Sequence, residues 1–116
     1  MDTRQAGSFL RAFGHGTRLR ILAALSRSPL SLGDLTQVLR CPKPRIARHL
    51  TYLAARHVVD SELVRGAVVY RLAEPEHPIH KRVLAAVLNC IRDLPEARED
   101  ARRLAARRRR ADDKAR

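Results

Sequence analysis

The apolar positions at the start of the chain recur at helical spacing and predict two short amphipathic helices. The first helix covers residues 3–13, because Gly14 and Gly16 interrupt the pattern that follows. Its apolar positions are Ala6, Phe9, Leu10 and Phe13. The second helix is predicted to begin at Thr17, a residue type that suits an N-cap, and to end before residues 26–29. Its apolar positions are Leu19, Ile21, Leu22 and Leu25.

Two further helices separated by a short break are predicted between residues 31 and 56. Ser31 and Asp34 have the spacing of a capping box, so a third helix begins there and continues to Leu39. A fourth helix starts near Lys43 or Pro44, since proline suits the first helical turn. The inward positions of the fourth helix are Ile46, Leu50 and Leu53.

The outward face of this fourth helix is rich in basic and hydrogen-bonding side chains. We assign to it Lys43, Arg45, Arg48, His49, Tyr52 and Arg56. No Asp or Glu occurs from Leu35 to Val59, although acidic residues are spread through the rest of the chain. The whole chain has 24 Lys and Arg against 12 Asp and Glu, a net charge of +12. A surface without negative charge in a basic chain favours a polyanionic partner, with nucleic acid the leading class.

A β-hairpin and a long apolar helix are predicted in the second half of the chain. Two β-branched runs, 58–64 and 68–72, flank a glycine turn with Arg65 at its tip. Residues 79–91 then form a helix that is too apolar for the surface of a monomer. We expect this helix and the first helix to form a two-fold dimer interface through Phe9, Phe13, Val83, Val87 and Ile91. The alternative is that both helices pack only within the monomer.

The charge pattern changes at Pro95 and predicts a boundary. Residues 1–94 are expected to form one dimerising domain, and residues 95–116 a charged tail, either a frayed helix or disordered, with Arg107 to Arg110 in a row. No apolar run of about 18 residues and no secretory signal is present, so a cytoplasmic protein without a membrane partner is expected.

Two short helices joined by a tight turn allow the first to brace against the DNA backbone while the second lies in the major groove. Arg45 and His49 are the expected base contacts, which read sequence. The expected phosphate contacts, which set register, are Lys43, Arg48 and Arg56. Arg65 either reaches a flanking minor groove or is a solvated turn residue.

Four segments of the chain resemble the ArsR family of bacterial metalloregulators. They are residues 17–22, 35–39, 45–53 and 68–72, within a match from Phe13 to Leu72. The resemblance implies a mainly α fold with a small β-hairpin, a winged helix-turn-helix that is homodimeric through its first and last helices. It further implies repression of transcription on double-stranded operator DNA, relieved by an inducer. Arg40 stands where the family has a turn glycine, Pro42 where it has an N-cap serine, and Ala47 where a serine often touches DNA.

The metal sites of the family are not repeated in this chain. Ser31 and Gly33 stand where the third-helix cysteines would be. His77 and His80 match the beginning of the last-helix zinc site, but Leu88 and Ile91 stand at its later positions. Zinc is therefore not expected, although His77 and His80 with Glu74 or Glu76 form the alternative of an improvised site.

Two cysteines, Cys41 and Cys90, are the remaining candidates for an inducer site. Cys41 falls at an apolar turn position and is expected to be a buried structural thiol. Cys90 resembles the first of the C-terminal cysteines that some arsenical repressors use. Thiolates bind trivalent arsenic, and a monosubstituted arsenical needs only two of them, from Cys90 with its symmetry mate or with Cys41. Thiol oxidation or persulfide sensing by the same residues, and no inducer at all, are the alternatives.

No catalytic motif accompanies these features. The chain has no glycine-rich phosphate loop, no paired carboxylates in a recognisable arrangement and no Ser/His/Asp pattern, so an enzyme is not expected and no cofactor is required. The competing functional class is an architectural or RNA-binding winged helix, for which the basic tail would matter more than Arg45.

Overall fold

Helices occupy most of the chain, and a small antiparallel sheet interrupts them. In the computed structural model, which describes residues 1–115, the helices are α1 (Thr3–Leu10), α2 (Gly16–Leu25), α3 (Leu32–Leu39), α4 (Lys43–Ala55), α5 (Pro78–Ile91) and α6 (Pro95–Ala115). One 3-10 turn, Arg11–Phe13, extends α1. The strands are β1 (Leu30–Ser31), β2 (Val59–Val64) and β3 (Ala67–Leu72), in the sheet order β1-β3-β2. The predicted mainly α fold with a hairpin is confirmed, and β1 is an addition to it.

Side chains cap the starts of α1, α2, α3 and α5, and two of these caps are histidines. The Ser31–Asp34 capping box of α3 is present as predicted. Helix α2 begins one residue after His15, whose Nδ1 accepts the amide of Thr17 at 3.1 Å, so the prediction of Thr17 as the N-cap is wrong. His77 caps α5 in the same way, through a 3.1 Å bond from the amide two residues on. An imidazole nitrogen thus replaces the oxygen that Ser, Thr or Asp supplies at other helix starts.

The β2–β3 hairpin closes with a two-residue loop. Val64 pairs with Ala67, so Arg65 and Gly66 alone make the turn, and their φ angles are 51° and 81°. Two successive positive φ values match the primed turns that suit the twist of a hairpin. Only Val59 of β2 is buried, so the hairpin extends away from the body with Arg65 exposed at its tip.

Helices α2, α3 and α4 form the centre of the core. Fully buried side chains there include Ile21, Leu22, Leu35, Leu39, Ile46, Leu50 and Leu53. The inward face predicted for α4 is therefore confirmed. Burying one such side chain stabilises the fold by roughly 1.5–3 kcal/mol, so this cluster fixes the angle between α3 and α4.

Part of the predicted dimer interface is already covered inside the single chain. Phe9 and Ile91 are only 5% and 6% exposed, which corrects their assignment to a partner-facing surface. The Phe9 ring stacks on His80 with centroids 3.7 Å apart and meets Phe13 edge-on at 5.3 Å. Phe13, Val83 and Val87 are half-buried against the same core. Packing within the monomer, the alternative to a dimer interface, therefore accounts for much of the apolar pattern of α1 and α5.

The segment expected to be a frayed or disordered tail is instead the long helix α6, which packs on α2 and α3. Its buried positions are Ala97, Asp100 and Leu104, at i, i+3 and i+7. This stripe is narrow and has a carboxylate in its middle, and for that reason the apolar pattern does not show it. The packed body therefore continues past residue 94 to Leu104, the last buried position, and the helix itself continues to Ala115. Among the described residues, no helix has the length and hydrophobicity needed to cross a membrane.

Candidate nucleic-acid interface

The turn between α3 and α4 presents the start of α4 to solvent. Helix α3 ends at Arg40, which adopts a left-handed conformation with φ of 52°, and α4 starts three residues later. Lys43, Arg45 and Arg48 are all exposed on the first turns of α4, and within residues 1–115 none of the three forms an ion pair. These cations are free to bind phosphate or base edges.

His49 does not belong to this exposed set. It is 7% exposed, and its ring lies 4.4 Å from the ring of His15. Burial, followed by the nearby positive charge of His15 and of the arginines around it, lowers the pKa of His49 below its usual 6.5. The prediction of His49 as a base contact is therefore wrong, because its side chain packs between α4 and the start of α2. Its spacing from the buried Ile46 and Leu53, three and four residues away, is the sequence signal for this position.

Tyr52 and Arg56 join α4 to the first helices rather than facing outward. The Tyr52 ring lies between two guanidinium groups, with Arg56 at 3.5 Å and Arg18 at 4.1 Å from the ring centroid. Arg56 also donates to the carbonyl of Ser8 at 3.2 Å, and Arg18 donates to the carbonyl of Ala12 at 3.1 Å. Tyr52 and Arg56 are half-buried rather than exposed, and their predicted contact with DNA stays a prediction. Stacking of Arg on Tyr stabilises this arrangement by about 0.5–2 kcal/mol for each pair.

A buried carboxylate ties α6 to the end of α3 beside the turn. Asp100 is 2% exposed and accepts from Arg20 at 2.8 and 2.9 Å and from Arg103 at 2.6 Å. Arg20 also donates to the carbonyl of Leu39, and Arg103 to that of Val38, which are the last carbonyls of α3. The hydrogen bond that Arg20 donates to Asp100 raises the pKa of Arg20, against the opposing effect of burial, so this guanidinium stays charged. This network was not foreseen from the sequence.

A second ion pair holds the far end of α6. Arg107 pairs with Asp34 at 2.6 Å, and it also bonds to Gln37. Asp34 belongs to the capping box at the start of α3, and Arg103 contacts the end of that helix. Helix α6 therefore contacts both ends of α3. The two helices therefore run in opposite directions along each other.

The two cysteines occupy different elements, and both are free thiols. Cys41 is half-buried in the turn, where its Sγ lies 3.6 Å from Nη1 of Arg20 and 3.5 Å from the carbonyl oxygen of Leu39. Cys90 is exposed on α5. Within residues 1–115, no three His, Cys, Asp or Glu side chains cluster in a way that could hold a metal ion.

The α3–turn–α4 pair followed by the β2–β3 hairpin defines the class of winged helix-turn-helix proteins. Residues 13–62 match a family described as "Helix-turn-helix domain". The chain is 35% identical over 88 residues to the transcriptional repressor SmtB of Mycobacterium tuberculosis, covering 76% of this chain and 64% of that protein. It is 31% identical over 72 residues to the transcriptional regulator YgaV of Escherichia coli, covering 61% of this chain and 73% of that protein. This protein belongs to the ArsR/SmtB family of winged helix-turn-helix regulators.

A solved structure extends the likeness beyond the helix-turn-helix. The ArsR-like transcriptional regulator from Rhodococcus sp. RHA1 superposes with a TM-score of 0.61 at 29% identity, and the match covers 95% of this chain and 93% of that one. Such coverage includes most of α6. The chain spans 64% of the length of the curated SmtB relatives.

Proposed function

We propose that this protein is a DNA-binding transcriptional repressor that places α4 in the major groove. The observation that carries the proposal is the exposed trio Lys43, Arg45 and Arg48 on a stretch, residues 35–59, that has no acidic residue. In a helix-turn-helix, the first residues of the second helix contact base edges, and the first helix lies across the backbone. Arg45 is the proposed base contact, and Lys43 and Arg48 are the proposed phosphate contacts. We propose that Arg65, at the hairpin tip, contacts DNA outside the major groove that α4 enters.

Fluorescence anisotropy on the DNA upstream of the protein's own gene, and on a scrambled duplex at the same salt concentration, tests this proposal. We expect a clear preference for the upstream DNA. Arg45→Ala should reduce that preference by about 1–3 kcal/mol, roughly 5- to 150-fold, because a bidentate base contact discriminates by that amount. Arg48→Ala should weaken binding to both duplexes alike. Arg27→Ala is the matched control, since Arg27 is exposed in the turn between α2 and β1, outside α4 and α5. Equal binding of the two duplexes by the unaltered protein would contradict sequence recognition and favour an architectural binder.

We propose further that the active form is a homodimer through the outer faces of α1 and α5. Leu10 on α1 is 51% exposed and Ile79 on α5 is 38% exposed, next to the half-buried Phe13, Val83 and Val87. A second copy would cover these side chains, and two copies would reach two half-sites one helical turn apart. Sedimentation equilibrium should show a dimer that Val83→Glu dissociates, with a loss of affinity for the upstream DNA. A monomer at micromolar concentration that still binds the DNA would refute the dimer.

For the inducer we propose a trivalent organoarsenical bound through Cys90. Cys90 is exposed, and it lies on the helix proposed to pair with its symmetry mate, so two thiolates from two chains could bind one arsenical. Adding such a compound to the protein–DNA complex should release the DNA, and Cys90→Ser should abolish the release. The second candidate is thiol oxidation at Cys41, favoured by the contact of its sulfur with Arg20 directly before α4. Two results together would favour a redox signal over the arsenical: peroxide releases the DNA unless Cys41→Ser is present, and the arsenical does not release it.

A further inference from the structure

A groove of about 400 Å³ lies between α3 and α6, outside the proposed recognition surface. Its polar lining is one amide and five guanidinium groups: Gln37, Arg40, Arg102, Arg103, Arg107 and Arg110. From Ala101 to Ala111, helix α6 carries six arginines and no acidic residue. We call this feature the α6 arginine groove. Like charges gathered in this way repel one another, so the groove is suited to an anion.

Two of the arginines hold the helix, and three are free for a ligand. Arg103 and Arg107 are bound to Asp100 and Asp34 and form part of the packing between α3 and α6. Arg40, Arg102 and Arg110 are exposed. Within residues 1–115, the only ion pair of this exposed set is a 4.0 Å contact from Arg102 to Glu99, which is too long and too solvated to contribute much.

The backbone of Arg40 supports a role for its side chain. Arg40 closes α3 in the left-handed region, where a helix is usually followed by glycine. A residue with a Cβ is less stable there by roughly 1 kcal/mol. The strained residue carries a guanidinium that lines the groove, three positions before Lys43 of α4. The basic surface of α4 therefore continues across the turn to α6.

We propose that the α6 arginine groove binds the phosphate backbone of DNA that flanks the segment contacted by α4. This inference rests on the proposed function and adds a second DNA contact to it. Arg102 and Arg110 lie eight residues apart, about 12 Å along a helix axis, whereas one strand places a phosphate about every 3.4 Å of duplex axis. The charged row is therefore longer than a single phosphate or a diphosphate and fits a continuous backbone. Helix α6 thus lengthens the DNA footprint of each chain.

The test compares two duplexes: the minimal upstream segment protected by the protein, and the same segment with ten arbitrary base pairs added at each end. We expect the full-length protein to bind the longer duplex about tenfold more tightly at about 0.1 M salt. Its affinity for that duplex should also fall more steeply with salt, by about 0.9 in the log–log slope for each additional phosphate. Arg102→Gln with Arg110→Gln should remove both differences and leave the affinity for the minimal duplex and the sequence preference unchanged. Neither side chain anchors α6, so the fold should be unaffected.

Arg27→Gln with Arg98→Gln is the matched control, because it removes two exposed arginines that lie outside the groove and outside α5. This control should retain the tighter binding to the longer duplex. The inference is overturned if the Arg102/Arg110 variant binds the longer duplex as tightly as the unaltered protein, or if it loses the same affinity on both duplexes. It is also overturned if inorganic triphosphate at millimolar concentration binds the groove while added flanks have no effect. Loss of all preference for the upstream DNA in the unaltered protein would instead refute the proposed function itself.

Discussion

Replacing the buried carboxylate of Asp100 by an amide should destabilise the whole fold. Asp100 is 2% exposed and accepts three short hydrogen bonds from Arg20 and Arg103. Asp100→Asn keeps the shape of the side chain and removes its charge, so both guanidinium groups lose their counter-ion. Breaking a buried ion pair in this way costs about 3–5 kcal/mol.

The expected loss is smaller than that limit for two reasons visible in the structure. The side chains of Arg20 and Arg103 are 22% and 23% exposed, so water solvates part of each charge. Each also keeps a carbonyl partner at the end of α3, from Leu39 and Val38 respectively. We therefore expect a decrease in the free energy of unfolding of about 2–3 kcal/mol, equivalent to about 8–12 °C in Tm for a chain of this size.

Urea unfolding followed by circular dichroism measures this loss directly. Glu99→Gln is the matched control, because Glu99 is the exposed neighbour of Asp100 on α6 and its one ion pair within residues 1–115 is the 4.0 Å contact with Arg102. The control should change stability by less than about 0.5 kcal/mol. If Asp100→Asn is as stable as the control, the carboxylate does not anchor α6, and the account of this helix as part of the packed body fails.

Three further expectations follow from the packing and the backbone. Leu104→Ala should cost about 2–4 kcal/mol in the same urea experiment, because Leu104 is 4% exposed and its removal leaves a cavity under α6. Arg40→Gly should raise the free energy of unfolding by about 1 kcal/mol, because glycine relieves the left-handed strain, and should weaken DNA binding in the anisotropy assay. Acidification from about pH 7 to pH 5 should lower stability through His49 and His80, whose pKa values burial lowers below 6.5 in the folded chain. The unfolded chain then takes up protons that the folded chain does not, so this contribution is complete above pH 6.5 and is lost as the pH falls from there through the lower pKa values of the folded chain. The free energy of unfolding, measured by urea at each pH, should therefore change less over this range in the double variant His49→Gln with His80→Gln than in the unaltered protein.

Each of these expectations has an outcome that would contradict it. A Leu104→Ala protein with unchanged stability would mean that α6 is the frayed tail that the sequence suggested. Loss of stability in Arg40→Gly would show that its side chain, rather than strain, dominates at the end of α3. An identical pH profile for the His49/His80 variant would assign the acid sensitivity to other groups.

The elements that could be predicted from the sequence are those with local signals. The Ser31–Asp34 capping box, the inward face of α4 and the glycine turn of the hairpin each depend on residues within a few positions of one another, and all three are present. The sequence also predicts the exposed cations of α4, because the absence of acidic residues around them is visible in the sequence.

The features that were missed depend on partners distant in the sequence. Asp100 is buried because Arg20, 80 residues earlier, neutralises it, and no pattern within α6 shows this. The polar character of His49 favours the outer face of α4, although its spacing puts it on the inner face with His15 as its neighbour. Periodicity likewise finds the apolar faces of α1 and α5 but does not show that Phe9 is covered by His80 of the same chain.

The histidine caps of α2 and α5 fix the tautomer of both side chains. In each, Nδ1 accepts a backbone amide, so in the neutral ring the proton is on Nε2. A neutral histidine coordinates a metal ion through a nitrogen that carries no proton, and here the helix already uses that nitrogen. A zinc ion at His77 would therefore release the amide of Ile79, at a cost of about 1 kcal/mol for the lost cap. The start of α5, where the sequence offered an improvised zinc site, thus uses His77 to cap the helix.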